Sequence, residues 1–419
     1  MAELDKDLLS IQQARSMVEQ AYNAQKIWGK ATQEQVDRVC QAMVDAAFGA
    51  AERLGRMASE ETGYGVPEHK KLKDEFASRN VWESIKNVKT VGVVRHDAGT
   101  GVYEIAWPMG VVAALTPSTN PTSTVINKIL ISVKARNGVI VAPHPAAVNC
   151  CVEAAKLMAD AAVAAGAPEG LIHCMSQVSL PGTTELMSHR RTAVILATGG
   201  SPMVRAAHSQ GKPAYGVGPG NVPAYVDRSA DLEKAARYIV ASKAFDYSVI
   251  CATEQAVIAD RPIAARLEQL MKNEGAYFMD EAQTQAMRQT LFHPDGGINT
   301  ATVGKSPQVL AGMAGISVPQ SARILVARLR KVGRDEPLSR EKLTTVLGWY
   351  EAEGWEAGCD RCIELIHFGG RGHSLIVHAT DEQVIMAFGL EKPVFRIGVN
   401  TMGTLGTIGL TTKVMPSMT

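Results

Sequence analysis

Long hydrophobic runs are missing from this sequence. No stretch of its 419 residues approaches the roughly 18 consecutive apolar residues of a membrane-spanning helix. Its apolar runs, such as residues 110–117, have the length of buried strands. Residues 1–7 are acidic and lack the basic and then apolar pattern of a secretion signal. We therefore expect no membrane contact and a cytoplasmic location.

Cysteine is also sparse, with seven residues, an odd number, in the whole chain. This usage predicts a reducing compartment, and a core of this size needs neither disulfides nor metals. The single CxxC, Cys359 to Cys362, has no second pair, and its segment, 355–366, has a helical pattern. The ten histidines form no HExxH motif, and we interpret His367, His373 and His378 as structural. We expect no metal site.

An excess of either charge is absent, because 43 basic residues balance 42 acidic residues and leave a net charge of +1. This balance argues against a large nucleic-acid footprint. The apolar share of 46% and the charged share of 20% are ordinary for a globular protein of two to three domains. We expect small-molecule partners and no nucleic acid.

The first 65 residues or so have a helical pattern. Thr32 and Gln35 form a capping box, and Gly63 is a plausible C-cap. From about residue 90, short apolar strands alternate with helices, which predicts an α/β fold with mostly parallel sheets. The strands are predicted at residues 91–94, 102–106, 111–116, 138–142, 171–175, 193–197, 224–227, 255–259, 323–327, 374–378 and 394–399.

The predicted domain boundaries follow from this order of helices and strands. Residues 1–228 comprise N-terminal helices and a dinucleotide-binding domain, and residues 229–395 form a catalytic thiol domain. Residues 396–419 form a C-terminal return and oligomerisation segment. Within the second domain, residues 291–321 are rich in Gly, Pro, Asn and Ser and predict a long loop.

Two strand-to-helix loops carry candidate chemistry. In the first, TPSTNPTST at 116–124, Asn120 could present its amide N–H to an oxyanion, although on the segment alone a helix cap is the favoured interpretation. In the second, TGG at 198–200 could bind a pyrophosphate through backbone amides, or could be an empty turn. A further glycine cluster, 216–220, lacks the Lys-Ser/Thr of a P-loop, which excludes an NTPase.

A third segment, AFDYSVICATEQ at 244–255, places Cys251 between a polar loop and a strand. A thiol at such a junction can act as a nucleophile when its surroundings lower its pKa or aim it. Taken alone, a cysteine is more often a small buried hydrophobe.

Together these segments resemble the aldehyde dehydrogenase superfamily, and most closely its CoA-acylating branch. That branch includes the aldehyde dehydrogenase half of bifunctional aldehyde-alcohol dehydrogenases and the CoA-dependent succinic-semialdehyde and sulfoacetaldehyde dehydrogenases. The segments occur in the family's order from about residue 90 onwards, and 134–145, 203–213 and 369–373 add to the match. The resemblance implies a Rossmann-type cofactor domain and a second α/β catalytic domain.

The resemblance also implies roles for individual residues. Cys251 matches the catalytic nucleophile, and Asn120 matches the residue that holds the oxyanion together with the Cys251 N–H. Glu341 matches a ribose-binding Glu, although Thr344 and Thr345 stand where relatives usually carry a Pro. The remaining positions that match the cofactor site are Thr116, Pro117, His144, Thr198, Gly199 and Gly200, with His144 where many relatives place a Lys.

One departure from the family pattern concerns the second half-reaction. Hydrolytic relatives carry a Glu that activates water against the thioester, and the matching position here is Val217. Valine cannot accept a proton, and loss of a general base slows such a step by on the order of 10²–10⁴. A CoA thiolate needs less help, so Val217 favours thiolysis.

The resemblance therefore implies reversible oxidation of a short-chain aldehyde, acetaldehyde or an anionic one such as succinic semialdehyde or sulfoacetaldehyde. The cofactor would be NAD or NADP, with NAD favoured, and coenzyme A would be co-substrate. The alternatives are a hydrolytic aldehyde dehydrogenase, an acyl-phosphate reductase, and a catalytically dead scaffold. We expect a homodimer or higher homo-oligomer, although the family normally continues beyond residue 419.

Overall fold

The computed structural model describes residues 5–418; the first four residues of the acidic N-terminus and Thr419 lie outside it. The chain divides into two compact units. The first contains residues up to Gly63, Pro67–Gly218 and the last residues from Pro416, and the second contains Tyr64–Val66 and Pro219–Met415. Each unit has its own parallel sheet, which confirms the α/β class and the two-domain architecture.

The first unit begins with helices, as the sequence predicts. The capping box is confirmed: the Gln35 backbone N–H donates to Thr32 Oγ1 (3.2 Å), and the Thr32 N–H donates to Gln35 Oε1 (2.8 Å). Gly63 ends the third helix at a φ of 66°, a left-handed conformation that glycine adopts without strain. The helices are α1 Lys6–Trp28, α2 Gln33–Gly49, α3 Ala51–Thr62, α4 Pro67–Glu75 and α5 Val81–Ile85, with a π-helical turn at Phe76–Asn80 between the last two.

A two-stranded antiparallel ribbon, β1 Gly92–Asp97 and β2 Val102–Ala106, follows these helices. The rest of the unit is a five-stranded parallel sheet flanked by helices. Its elements are β3 Val111–Thr116, α6 Pro121–Lys134, β4 Gly138–Pro143, α7 Val148–Ala164, β5 Ile172–Cys174, α8 Leu180–Ser188, β6 Thr192–Thr198, α9 Ser201–His208 and β7 Ala214–Val217, with a 3₁₀ turn at Pro145–Ala147.

The strand order of this sheet is β5-β4-β3-β6-β7. The chain moves outward from β3 to β5 and then restarts on the other side of β3 with β6. In such open sheets the ligand lies where the order reverses, at the carboxyl ends of the strands. That point lies between Thr116, which ends β3, and Thr198, which ends β6.

The second unit contains a seven-stranded parallel sheet in the order β10-β11-β12-β9-β8-β13-β14. Its strands are β8 Val222–Val226, β9 Glu254–Asp260, β10 Ala276–Phe278, β11 Ile324–Arg328, β12 Val346–Ala352, β13 Ser374–His378 and β14 Arg396–Val399. Its helices are α10 Leu232–Ala244, α11 Arg261–Asn273, α12 Glu281–Leu291, α13 Pro307–Met313, α14 Gly354–Gly369, α15 Glu382–Glu391 and α16 Gly403–Thr407, with 3₁₀ turns at Phe245–Ser248, Thr300–Thr302 and Pro337–Ser339.

The structure differs from the sequence prediction in a few elements. Strand β8 was placed last in the first domain, but it pairs with β9 and β13 in the second sheet, and the units divide at Gly218–Pro219 rather than after residue 228. Strands β7, β10 and β12 were not predicted. The stretch predicted as a loop, 291–321, contains α13 and a 3₁₀ turn.

The described helices include none that is both long and apolar enough to cross a lipid bilayer.

Candidate active site

A buried lysine connects β3 and β6, the two strands between which the strand order reverses. Lys128, on α6, donates from Nζ to the backbone oxygens of Leu115 (2.6 Å) and Leu196 (2.8 Å), one on each of the two strands. Burial holds the pKa of Lys128 well below its ordinary value. Because the side chain joins the carboxyl ends of the two strands, it keeps the two ligand-bearing loops at a fixed separation.

We expect Lys128→Met to lower the free energy of unfolding by about 1–3 kcal/mol, because two buried carbonyl oxygens lose a hydrogen-bond donor. Urea unfolding followed by tryptophan fluorescence measures the change. Lys156→Met is the matched control, since Lys156 is an exposed lysine paired with Asp160 on the same helix, and should change stability by less than about 0.5 kcal/mol. Equal effects of the two substitutions would contradict a bridging role for Lys128.

Asn120, predicted either as an oxyanion residue or as a helix cap, precedes α6 but makes no side-chain capping bond. Its Oδ1 accepts a hydrogen bond from Lys73 Nζ (2.7 Å), and its Nδ2 donates to Thr119 Oγ1 (3.2 Å). An ammonium group can only donate, so Lys73 determines which end of the amide is the oxygen. Nδ2, the group that an oxyanion requires, carries a second N–H.

Helix α4 holds this loop through residues that sequence reasoning missed. Lys70, Lys73 and Asp74 are all buried and lie on one face of the helix at i, i+3 and i+4. Lys70 Nζ donates to the Thr119 backbone oxygen (3.1 Å), and Thr122 Oγ1 donates to Asp74 Oδ1 (2.8 Å). These three residues could have been identified from the sequence, because charged residues on a buried helix face require specific partners.

The Thr198 turn fits a dinucleotide. Thr198 Oγ1 is buried and has no hydrogen-bond partner within residues 5–418, and Gly200, the N-cap of α9, supplies no side-chain cap. An unsatisfied hydroxyl beside an uncapped helix N-terminus suits a pyrophosphate. The Gly199 N–H is used elsewhere, because it donates to the Val217 backbone oxygen (3.3 Å).

The remaining residues predicted for the cofactor in this unit lie at the same edge of the sheet. Thr116 is buried, Pro117 follows it, and the Thr116 backbone oxygen accepts from the His144 N–H (3.1 Å). Desolvation lowers the pKa of His144, and its Nδ1 accepts from the Ala146 N–H. The structure thus brings Thr116, Pro117 and His144 together at the ends of β3 and β4.

In the second unit the candidate residues lie at the amino ends of the strands, whereas those of the first unit lie at the carboxyl ends. Cys251 lies in a turn that leads directly into β9 and is half-buried. Gly220 precedes β8 and His373 precedes β13, and Glu341 comes shortly before β12. These four strands are neighbours in the sheet, in the order β12-β9-β8-β13. The candidate residues of this unit therefore share the amino ends of its central strands.

Gly220 is the meeting point of this group. A Cβ on Gly220 would collide with the Cys251 backbone oxygen and would lie 3.0 Å from His373 Nε2. The Gly220 N–H donates to Glu341 Oε1 (2.8 Å). Only glycine allows this close approach, which places Cys251, Glu341 and His373 around one backbone position.

His373, interpreted as structural from the sequence, is therefore a neighbour of the Cys251 turn. Its pKa falls to about 4 because of burial and the charge of Arg396, so the imidazole is neutral at pH 7. The pKa of Glu341 is raised to about 7, chiefly by burial. His378 forms part of β13, and burial likewise lowers its pKa to about 4.

The CxxC pair lies on α14, as the sequence predicts, and both thiols are buried. Within residues 5–418, no group of three or more His, Cys, Asp or Glu side chains is arranged to hold a metal ion.

Comparison with known proteins identifies the family. Residues 7–283 match the sequence pattern of the family described as "Aldehyde dehydrogenase family". The chain belongs to the aldehyde dehydrogenase family. Within it, the similarity is to the acylating branch, as the sequence analysis expected.

Two curated relatives illustrate this. The chain is 41% identical over 397 residues to aldehyde-alcohol dehydrogenase 2 of Entamoeba histolytica, covering 93% of this chain and 46% of that protein. It is 36% identical over 395 residues to the succinate-semialdehyde dehydrogenase (acetylating) of Clostridium kluyveri, covering 93% and 86%. The chain thus spans about half the length of the aldehyde-alcohol dehydrogenases that it matches.

Solved structures of family members superpose closely. An acetylating aldehyde dehydrogenase from Geobacillus thermoglucosidasius has a TM-score of 0.97 and 49% identity, covering 99% of this chain and 92% of the other. A propionaldehyde dehydrogenase from Rhodopseudomonas palustris, with bound CoA and an acylated cysteine, has a TM-score of 0.88 and 30% identity, covering 96% and 91%.

Proposed function

We propose that the protein is a CoA-acylating aldehyde dehydrogenase that converts an aldehyde, NAD and CoA reversibly into an acyl-CoA through a thioester on Cys251. The observation that carries this proposal is Val217. This residue ends β7 and takes the position where hydrolytic relatives have a carboxylate, and its backbone is fixed by pairing with β6. An acyl-enzyme that lacks this carboxylate requires a better nucleophile than water, which a CoA thiolate supplies. The R. palustris relative, with CoA and an acylated cysteine, supports the same chemistry.

In the proposed mechanism, the Cys251 thiolate attacks the aldehyde carbon. Asn120 Nδ2 and the Cys251 backbone N–H donate to the oxyanion that develops, and Lys73 keeps the Asn120 amide oriented for that task. A nicotinamide cofactor bound at the Thr198 turn would supply the hydride acceptor, so that the carbon held on Cys251 becomes a thioester. The sulfur of CoA then takes the acyl group, and the Cys251 thiolate is released.

For the cofactor, we propose Thr198, Gly199 and Gly200 under the pyrophosphate, with Thr116, Pro117 and His144 nearby and Glu341 at the nicotinamide ribose. His144 stands where many relatives place a Lys, and this supports NAD over NADP. A Lys would offer a permanent cation to a 2′-phosphate, whereas an imidazole would not. Desolvation, which lowers the pKa of His144, acts in the same direction.

For the substrate, we propose a neutral short-chain aldehyde, with acetaldehyde first. Three arginines that are candidates for binding an anionic aldehyde are used on backbone oxygens: Arg136 donates to Gly29, Arg340 to Gly296 and Arg396 to Met415. Each of these contacts occupies part of the guanidinium within its own unit. Succinic semialdehyde and sulfoacetaldehyde remain the anionic alternatives.

We also propose a homo-oligomer, with the β1–β2 ribbon as the contact surface. A two-stranded ribbon is only marginally stable alone, and large exposed apolar surfaces indicate association. The exposed apolar residues in and beside it are Val93, Val94, Val102, Tyr103, Ile105, Trp107 and Met109. Light scattering after size exclusion tests this; a monomeric mass at micromolar concentration would contradict it.

The test of the reaction is a screen of acyl-CoA formation with neutral and anionic aldehydes, using NAD or NADP, with CoA or phosphate present or omitted. Turnover that requires CoA supports the proposal. Turnover with phosphate alone would indicate an acyl-phosphate reductase, and absence of turnover under every condition would indicate a binding scaffold.

A further inference from the structure

The loop that carries Cys251 is conformationally strained. It runs from the end of α10 to the start of β9, and three consecutive residues, Asp246, Tyr247 and Ser248, have left-handed φ values of 50°, 47° and 72°. This conformation is unfavourable for any residue other than glycine, because it brings Cβ too close to the following carbonyl oxygen. A strained segment persists only when its surroundings impose it.

Two side-chain pairs close the base of this loop. Ser242 Oγ donates to Glu254 Oε2 (2.5 Å), and Lys243 Nζ donates to Gln255 Oε1 (3.3 Å). Each pair joins residues twelve positions apart, and all four residues are fully buried. These consecutive pairs connect the last turn of α10 to the first residues of β9 and leave Cys251 between them.

A third attachment comes from the C-terminal part of the same unit. The Gly403 N–H donates to Glu254 Oε1 (2.7 Å), and the Thr404 N–H donates to Ser242 Oγ (3.0 Å). A Cβ on Gly403 would lie 2.6 Å from Glu254 Cδ and 2.8 Å from the Ala252 backbone oxygen. Glycine at 403 thus allows the segment to lie directly against the residue after Cys251.

The donor and the acceptor of each hydrogen bond around Ser242 follow from its single hydroxyl proton. Ser242 gives its only proton to the Glu254 carboxylate, so Thr404 Oγ1, 2.9 Å from Ser242 Oγ, acts as donor to it. Glu254 thus receives hydrogen bonds on both oxygens, from two different parts of the chain. We propose that Glu254 is a positioning residue for Cys251: its carboxylate clamps the strained loop at its base and against Gly403 and Thr404.

Burial raises the pKa of Glu254 to about 7, and the donors Ser242 and Gly403 and the charge of Lys243 act in the opposite direction. A carboxyl group is expensive to bury. Its presence beneath the turn therefore fits a geometric function that an apolar residue could not perform.

The inference rests on the proposed function, since it concerns how the nucleophile is aimed. A misplacement of about 1 Å in a reacting group can cost on the order of 10²-fold in rate. We therefore expect Glu254→Ala to slow the burst of NADH formation by roughly 10- to 100-fold, with little change in KM for NAD or aldehyde. Glu254→Gln should stay within about threefold, because its amide can donate to Ser242 and accept from Gly403.

The matched control is Tyr225→Phe, which also removes one buried hydrogen bond to a carboxylate, that of Tyr225 to Asp227 (3.1 Å) on β8. It should leave the burst rate unchanged. If Glu254→Ala fails to fold, Ser242→Ala can be used instead. It also removes the hydrogen bond between Ser242 and Glu254, but it leaves the bond from Gly403 to Glu254 intact. In a double-mutant cycle, the two alanine substitutions together should cost clearly less than the sum of their separate costs, because they share the Ser242–Glu254 bond.

Amide hydrogen exchange of residues 243–253 gives a reading that does not depend on activity. We expect exchange at least tenfold faster in Glu254→Ala and unchanged in Tyr225→Phe. Unchanged exchange in Glu254→Ala, or faster exchange with a normal burst rate, would overturn the proposal. If the wild-type protein formed no acyl-CoA at all, the proposed function would fail and the positioning role with it, while the exchange data would still show whether the clamp exists.

Discussion

Replacement of Cys251 by alanine should abolish aldehyde oxidation, lowering kcat to less than about 10⁻⁴ of the wild-type value, because no other group at that position can form the thioester. The residue is half-buried in the turn before β9, so the smaller side chain should leave the fold intact. NADH formation with acetaldehyde and CoA measures the loss, and thermal unfolding checks the fold.

The matched control for this substitution is Cys174→Ala. Cys174 is also half-buried, but it ends the edge strand β5 of the first unit, and its pKa is raised by burial. It should retain full activity. Substantial CoA-dependent turnover in the Cys251→Ala protein would remove Cys251 from the mechanism.

Asn120→Ala should lower kcat by about 10²–10³, the usual loss for one oxyanion donor. Asn120→Asp is the sharper variant, because a carboxylate still accepts the Lys73 hydrogen bond and keeps the loop in place, but cannot donate. We expect Asn120→Asp to lose as much activity as Asn120→Ala.

The helix-cap interpretation makes the opposite prediction. Aspartate is as good an N-cap as asparagine, so a capping role would leave Asn120→Asp nearly as active and as stable as the wild type. Near-normal kcat for Asn120→Asp would therefore remove Asn120 from the oxyanion site. The structure already disfavours capping, because the Asn120 side chain makes no capping bond to α6.

Elements defined by local sequence were predictable. The capping box at Thr32 depends on residues three positions apart, and strand β13 is a short apolar run between polar neighbours. Strand β12 was missed although it is an interior strand of the second sheet, next to the central strand β9. Gly348 interrupts its apolar run, and its partners, β11 and β9, are brought beside it only by the tertiary fold.

For the candidate site, the sequence could indicate residue types and their order, but not their partners. The bond from Lys73 to Asn120 joins positions 47 apart, and that from Gly403 to Glu254 joins positions 149 apart. Neither pair belongs to a contiguous motif. The neighbourhood of His373 and Cys251 likewise depends on two strands, β13 and β9, that flank β8 in the sheet.

The most direct test of the central claim is a rapid-mixing measurement of NADH formation with and without CoA. Without CoA, we expect a burst of about one NADH per active site and then near arrest, because Val217 replaces the carboxylate that activates water in hydrolytic relatives. With saturating CoA, steady turnover to acyl-CoA should follow the burst. Steady formation of free acid without CoA, at a rate comparable to that with CoA, would contradict the acylating assignment and favour a hydrolytic aldehyde dehydrogenase.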